Sequence, residues 1–355
     1  MRHKPLTIAV TGLNATDNPA PGVGVLRALR EVGGEKLRLI GLAYDALDPG
    51  VYADSIVDDV FLIPYPSQGL QSFLSRMEYI HERVGLDVVL PTLDSELPSF
   101  IETAPQLREM GIRSLLPTRE QVDLRAKTQL TALGKRAGIS VPTEVVLAGP
   151  DELYKIHEKI KYPFFVKGPF YGATIARTLD EALAAYHKVI AQWGAPVLVQ
   201  KAVLGEEFNV VACGDGKGGL VGAVGMKKMM LTDKGKGWAG ITVKDPELVG
   251  LADKFMRATK WPGGCELEVM RDKEGRHHLI EVNPRFPAWV YLSAAAGQNL
   301  PWACVELALG RDVKPLPDYA VGRMFVRISL DQVVRSEDFQ DIVTAGEIIR
   351  QGARS

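Results

Sequence analysis

Over residues 1–117, short apolar runs alternate with helix-patterned stretches, and this alternation limits the chain more than any other feature. Strand, helix and strand in that order form βαβ units around a parallel sheet. Leu6 to Thr11, Leu37 to Ala43, Asp59 to Ile63, Asp87 to Pro91 and Ser114 to Leu116 predict strands. Gly22 to Val32, Gln71 to Val84 and Glu96 to Met110 predict helices. Thr118 opens a longer helix with a Thr-x-x-Gln capping pattern to Gln121. Val122, Ala126, Leu130, Leu133 and Ala137 share one face of it, Gly138 closes it and Pro142 follows.

Beyond this helix the texture becomes α+β with hairpins. Strand patterns run over Phe164 to Lys167, Val197 to Gln200, Phe208 to Cys213, Leu220 to Met226, Glu266 to Met270, His278 to Val282 and Arg323 to Leu330. Helices are predicted over Leu179 to Gln192 and Pro246 to Thr259. Residues 215–219 and 272–275 read as turns, 232–237 as a mobile Gly/Lys loop, and 235–240 as a lid or an ordinary lysine-rich surface loop. At about 150 residues per domain, 355 residues imply two or three domains.

The 42 Lys+Arg nearly cancel the 43 Asp+Glu, leaving a net charge of -1. That balance gives no global attraction to nucleic acid or an anionic membrane, so a bound polyanion needs a local cluster of positive charge. Cys213, Cys265 and Cys304 form no CxxC pattern, and the 6 histidines show no HExxH spacing, which argues against a zinc site. Scattered cysteines fit a reducing cytoplasmic compartment. The apolar run Leu6 to Val10 is too short for a signal peptide, and no run approaches about 18 apolar residues, so neither secretion nor a membrane span is expected.

Gly22 and Gly24 follow the first strand, and Asp45 ends the second, which superficially suggests a dinucleotide site. Arg27 occupies the third glycine position, however, and Asn14 to Pro21 is too long for the tight fingerprint, so a structural turn is the expected reading. A second pattern ends a strand in Lys167 and continues through Gly168 and Gly172, a loop whose backbone could approach phosphate oxygens beside a point charge. The strand to Gln200 then leads through Lys201 and Val203 to Glu207, a connector able to meet an adenine edge with a carboxylate for ribose hydroxyls.

The third pattern carries most information. Period two sets Glu266 and Glu268 on one face of their strand, and Glu281 and Asn283 on one face of theirs. Carboxylates gathered in apolar strands repel unless a cation neutralises them, and hard oxygen ligands suit Mg²⁺. Arg285 follows at once, and Trp289 and Tyr291 could line an acceptor pocket or pack a helix start.

The order Lys127, Lys167, Gln200 to Glu207, Glu268, Glu281-Val282-Asn283-Pro284-Arg285 resembles the ATP-grasp superfamily, in particular the carbamoyl-phosphate-synthase-like carboxylate-amine ligases, over residues 1–310. The resemblance implies a Rossmann-like pre-ATP-grasp domain at 1–117, a linking helix at 118–142, a small lobe at 143–203, a large lobe at 204–312 and an extension at 313–355. It implies Lys127 and Lys167 on the ATP phosphates, Gln200, Lys201 and Val203 around adenine, and Glu207 on the ribose. Glu268, or alternatively Glu266, would hold the metal with Glu281 and Asn283. Arg285 would lie near the transferred phosphate, with Lys227 or Lys228 beside it. The cofactors implied are ATP and Mg²⁺, with Mn²⁺ as a substitute. The partners implied are small-molecule or peptide carboxylate and amine substrates, with no nucleic acid and no membrane, and a homodimer is compatible. Such an enzyme forms an acylphosphate and then an amide, releasing ADP and phosphate. The alternatives are a non-catalytic ATP-binding module and an NAD(P)-dependent oxidoreductase. The chain departs from the family in its sparse glycine loop after Lys167 and in Gln200, where an acid is usual.

Overall fold

The computed structural model describes residues 4–15, 19–32, 36–168, 173–232 and 237–350, without the side chain of Lys127. The chain divides into two compact units. One comprises Met1–Arg119, Val210–Glu266 and Asn283–Ser355, the other Glu120–Asn209 and Leu267–Val282.

In the first unit, β1 (Leu6–Thr11), β2 (Leu37–Ala43), β3 (Asp59–Leu62) and β4 (Val88–Leu90) are parallel, with Ile8 opposite both Leu39 and Val88 and Leu42 opposite Phe61. Helices α1 (Gly22–Arg30), α2 (Leu70–Val84) and α3 (Leu97–Glu109) connect or flank them. The strands are apolar at successive positions because both faces are covered. Ile8, Val10, Leu39 and Val88 join Val25, Leu26 and Leu29 of α1 in one cluster, while Ala9, Ile40, Leu42 and Val89 join Phe73, Met77, Phe100 and Leu107 in another.

The glycine turn before α1 owes its composition to packing. A Cβ at Gly22 would fall 2.0 Å from the Thr11 carbonyl oxygen, and Gly12 has φ +71°. Asp45 is exposed and accepts a hydrogen bond from the Leu47 backbone N–H at 2.8 Å, the geometry of an Asx turn.

The expected strand at Ser114 to Leu116 is absent: only Arg113 bridges Val88, and the Pro117 ring then lacks the donor a continuing ladder needs. The single helix expected from Thr118 is instead α4 (Arg119–Leu124), a 3₁₀ turn at Lys127–Gln129 and α5 (Leu130–Ala137). Ala126, at the break, is exposed, and its methyl group buries too little to hold a continuous apolar face. Gly138 does close the second helix, with φ +64°.

The second unit holds an antiparallel sheet of β5 (Glu144–Leu147), β6 (Phe164–Lys167), β7 (Ala173–Ala176) and β8 (Val197–Lys201), ordered β5-β8-β6-β7, with α6 (Leu179–Trp193) packed on it. Thr178 caps α6 by accepting from the Glu181 N–H at 3.2 Å.

The chain continues through β9 (Gly205–Asp215), β10 (Leu220–Leu231), β11 (Gly237–Thr242), α7 (Pro246–Thr259), β12 (Pro262–Asp272) and β13 (His277–Asn283). After these come α8 (Tyr291–Ala295), α9 (Leu300–Ala308), β14 (Met324–Val326), α10 (Ser336–Ala345) and β15 (Glu347–Ile349). A six-stranded sheet has the order β13-β12-β9-β10-β11-β14, and the division between units runs through β9, β12 and β13 themselves.

Strand β15 returns to the first sheet, antiparallel to β3, with Ile348 opposite Val60. Arg83 pairs with Glu347 at 2.7 Å and Arg76 donates to the Gly346 carbonyl at 2.6 Å, so the segment after residue 312 is built into the first unit. Among the described residues, no helix is long and apolar enough to cross a membrane.

Candidate functional site

Strand register in the second unit brings three polar side chains together. Gln200 of β8 lies opposite Phe165 of β6 and opposite Glu144 of β5, and Lys167 lies opposite Leu198. Lys167 Nζ donates to Gln200 Oε1 at 2.7 Å, and Gln200 Nε2 donates to Glu144 Oε2 at 3.4 Å. Thr131 Oγ1 donates to the other Glu144 oxygen at 3.3 Å. Burial pushes the Glu144 carboxyl up, while hydrogen bonds from Thr131 and Gln200 and the Lys167 charge oppose that shift. That bond sets a neutral amide oxygen beside the ammonium and orients Lys167 without cancelling its charge. The glycine loop read after Lys167 falls largely on residues 169–172, outside the described residues, as do residues 233–236 of the Gly/Lys loop, with the start of the lid segment 235–240.

Lys201 and Val203 line a cavity of about 390 Å³ together with Val141, Pro142, Arg276 and His278. The Lys201 N–H donates to the Thr143 carbonyl at 2.8 Å, leaving the side chain exposed. At the same cavity His278 bridges Ser140 Oγ and Asp272 Oδ2, each at 2.9 Å, and Arg276 Nε reaches that Asp272 oxygen at 2.9 Å. The His278 hydrogen bond, then those of Arg276, hold the Asp272 carboxyl well below the usual carboxylate range. This anchors the turn between β12 and β13. Glu207 is half-buried on β9, next to Glu206, which pairs with Arg271. Glu268 and Glu281 are also half-buried, each flanked in sequence by a buried apolar residue such as Leu267 or Val282.

In the first unit, Glu266 is a hub. It is 5% exposed and accepts from Asn283 Nδ2 at 3.0 Å and from the Trp289 indole N–H at 2.7 Å. Arg285 Nη1 lies 3.5 Å from the same carboxylate, and Arg285 Nη2 lies 3.6 Å from Asp94 Oδ2. A carboxylate only accepts, so the Asn283 NH₂ faces Glu266 and its carbonyl oxygen is turned away from that carboxylate. Glu266, which period two groups with Glu268, is turned toward Asn283, Trp289 and Arg285.

Lys227 and Lys228 are adjacent and half-buried on β10, opposite Ile241 and Gly240. Strand alternation turns them to opposite faces, so at most one serves a given face. Of the two aromatics after Arg285, Trp289 is buried and bonded to Glu266, whereas Tyr291 hydrogen-bonds Glu31 and lies under Arg27, whose guanidinium is 4.0 Å from the ring centroid. Tyr291 therefore packs the helix start against α1.

Sequence reasoning missed the loop after β4. Glu96, fully buried, accepts from the Thr92 and Leu93 N–H groups at 2.7 and 2.9 Å, from Tyr44 Oη at 2.5 Å and from Thr11 Oγ1. Burial pushes its carboxyl up against those four donors. The available signal was an acidic pair, Asp94 and Glu96, just beyond the C-terminal end of a parallel strand, where open α/β sheets bind ligands.

A family model described as ATP-grasp in the biosynthetic pathway with Ter operon matches residues 194–327. The D-alanine–D-alanine ligase of Pseudomonas entomophila is 27% identical over 161 residues, covering 41% of this chain and 50% of the ligase. The phosphoribosylamine–glycine ligase of Synechocystis is 28% identical over 253 residues, covering 63% of this chain and 59% of that enzyme. The chain spans about half the length of the D-alanine–D-alanine ligases it matches, 50% and 54% for two of them. In fold it resembles the biotin carboxylase domain dimer of Hydrogenobacter thermophilus 2-oxoglutarate carboxylase, solved with MgADP, ADP and bicarbonate. The TM-score is 0.69 at 17% identity, over 91% of this chain and 74% of that one. The mixed α/β architecture, the motif order and the family match over residues 194–327 agree in their likeness to the ATP-grasp superfamily.

Proposed function

We propose that this protein is an ADP-forming carboxylate-amine ligase. A substrate carboxylate oxygen attacks the γ-phosphorus of ATP, the bond from phosphorus to the bridging oxygen breaks and ADP leaves. An amine nitrogen then attacks the acyl carbon of the acylphosphate, phosphate departs and the nitrogen gives up a proton, leaving an amide. The observation that carries this reading is the Glu266 hub, which orients an amide oxygen at Asn283 and a guanidinium at Arg285 through one buried carboxylate.

The residues divide the work as the resemblance implies. Lys127 and Lys167 bind phosphate oxygens, Gln200, Lys201 and Val203 take the adenine, and Glu207 takes the ribose. Arg285, with Lys227 or Lys228, offsets the charge of the transferred phosphoryl group. Among the described residues no three of His, Cys, Asp and Glu assemble as a metal cage. The Glu268 and Glu281 carboxylates with the Asn283 carbonyl oxygen are hard donors that fit Mg²⁺ completed by phosphate oxygens and water. When bound, the ion would neutralise phosphate charge. Positioning and charge neutralisation supply most of the rate in such transfers, so losing one of these groups slows turnover by roughly 10² to 10³.

The reading extends to the rest of the chain. Residues 1–117 form the Rossmann-like pre-ATP-grasp domain and residues 143–312 the two lobes. The enzyme acts in the cytoplasm on small-molecule or peptide substrates. A screen of acid and amine pairs by ADP release tests it. Acid-dependent ADP release is expected from the wild type and a fall of at least about 10² from Lys167→Ala and from Glu281→Ala. Undiminished turnover in either variant removes its assigned role, and ATP binding without ADP release for any pair favours a regulatory module.

A further inference from the structure

We infer that β14 is the contact strand of a homodimer. The strand and the extended segment after it, residues 324–330, pair antiparallel with the same segment of a second copy of this chain, about a two-fold axis at Arg327. The inference stands apart from the ligase reading above and depends on none of its residues.

Strand β14 lies at the end of the six-stranded sheet, beside β11. Its backbone bonds alternate. The Arg323 carbonyl accepts from the Thr242 N–H at 2.8 Å and the Arg327 N–H donates to the Trp238 carbonyl at 2.9 Å, so the odd-numbered residues bond inward. Met324, Val326 and, in an extended continuation, Ile328 and Leu330 turn their N–H and C=O groups outward, the kind of bare edge that natural sheets cover. The alternation of apolar residues at 324, 326, 328 and 330 predicts a strand through Leu330, yet the ladder with β11 ends at Val326. The strand pattern therefore runs on past the reach of β11.

This edge is apolar and held in place. Met324, Val326, Ile328, Leu330 and Val333 are 55%, 59%, 75%, 78% and 97% exposed. Together they offer on the order of 600 Å² to solvent, the upper limit for the largest apolar patch of a typical monomer and most of the roughly 800 Å² per partner in a standard interface. The segment is not a loose tail, since Arg327 Nε donates to the Gly237 carbonyl at 2.8 Å and Gln332 Nε2 to the Tyr52 carbonyl at 2.6 Å. It is also complementary to itself. An axis at Arg327 sets Met324 opposite the partner's Leu330, Val326 opposite the partner's Ile328 and Arg323 opposite the partner's Asp331. Apolar side chains then meet apolar ones, opposite charges meet, and the even-numbered residues exchange their outward hydrogen bonds. Arg327 faces its own copy, with its guanidinium drawn back toward β11 by the Gly237 carbonyl. Such an isologous contact closes on itself, so a second copy satisfies the edge without building a filament.

The test is sedimentation velocity of the full chain over a concentration series, and a dimer is expected by about 10 µM. Ile328→Lys and Leu330→Lys place a charge in the apolar seam on both sides of the axis, and each should raise the dissociation constant by at least about 10²-fold. Arg323→Asp and Asp331→Arg should each weaken the dimer by roughly 10-fold, and the double exchange should bring it back to within about threefold of wild type. Hydrogen exchange on the wild type, which requires no substitution, should be slower at Val326 and Ile328 at about 100 µM than at about 1 µM. A chain that stays monomeric at about 100 µM overturns the proposal, as does a dimer whose dissociation constant moves by less than about twofold in both lysine variants. A double exchange that fails to recover the dimer overturns the pairing about Arg327.

Discussion

Replacing Glu96 by alanine should loosen one loop far more than its single side chain would suggest. The carboxylate accepts from two backbone N–H groups that cannot rotate away, those of Thr92 and Leu93 at 2.7 and 2.9 Å, and from the Thr11 and Tyr44 hydroxyls. Each buried donor left unpaired costs about 1–3 kcal/mol. Thr92 N–H keeps a second acceptor in Thr11 Oγ1 at 2.8 Å, and the hydroxyls can reorient, so Leu93 N–H and part of the others bear the loss. Removing a carboxyl that burial has pushed up returns some of the penalty. The net expectation is about 3 kcal/mol, which at 1.36 kcal/mol per decade is roughly 10² in opening. Hydrogen exchange followed on peptides spanning the β4 loop should show about 10² faster exchange at Thr92 and Leu93, with a smaller change in α6 of the other unit. Glu96→Gln keeps the acceptor used by both amides and should cost only about 1 kcal/mol. Exchange in Glu96→Ala within about twofold of wild type would refute the claim that this carboxylate holds the loop.

Two other consequences are open to measurement. Gly22→Ala places a Cβ 2.0 Å from a backbone oxygen and should destabilise the protein by about 3 kcal/mol or abolish soluble expression, read by urea unfolding; a neutral effect would mean that the turn is not close-packed. Asp272 is depressed in the folded state, so its stabilisation is fully present above its ordinary value of 3.8 and is lost as pH falls through the lower folded value. Unfolding midpoints of Asp272→Asn and wild type should therefore differ most near neutral pH and converge in acid, and a gap that widens in acid would contradict the sign.

Much of the fold was legible because its cues are local. Leu6 to Thr11, Leu37 to Ala43 and Pro246 to Thr259 appear with the ends that their apolar runs and caps imply. The interrupted helix after Thr118 was not, since nothing in the heptad-like spacing says that Ala126 faces solvent. Strand β15 has three residues and owes its place to Arg76 and Arg83, more than 260 positions away, which no local pattern encodes. In the site, period two correctly faced Glu266 toward Asn283, yet it carried no information that Trp289 would send its indole N–H to Glu266. Lys167 and Gln200 were each marked by their strand ends, but Glu144 as the acceptor behind them required the sheet order β5-β8-β6. Asp94 and Glu96 lay hidden because two acids in a loop look like a solvated turn until the parallel sheet brings Thr11 and Tyr44 beside them.

The central claim is that a substrate carboxylate attacks the γ-phosphorus, and oxygen transfer tests it without reference to any mutant. Once ADP release has identified an active acid, that acid is supplied with ¹⁸O in its carboxylate, together with ATP, Mg²⁺ and an amine, and the released phosphate is analysed by mass. The acylphosphate route predicts one ¹⁸O in the phosphate for each amide formed, since the oxygen that attacked phosphorus leaves with it. Phosphate carrying no ¹⁸O while amide accumulates would contradict the account.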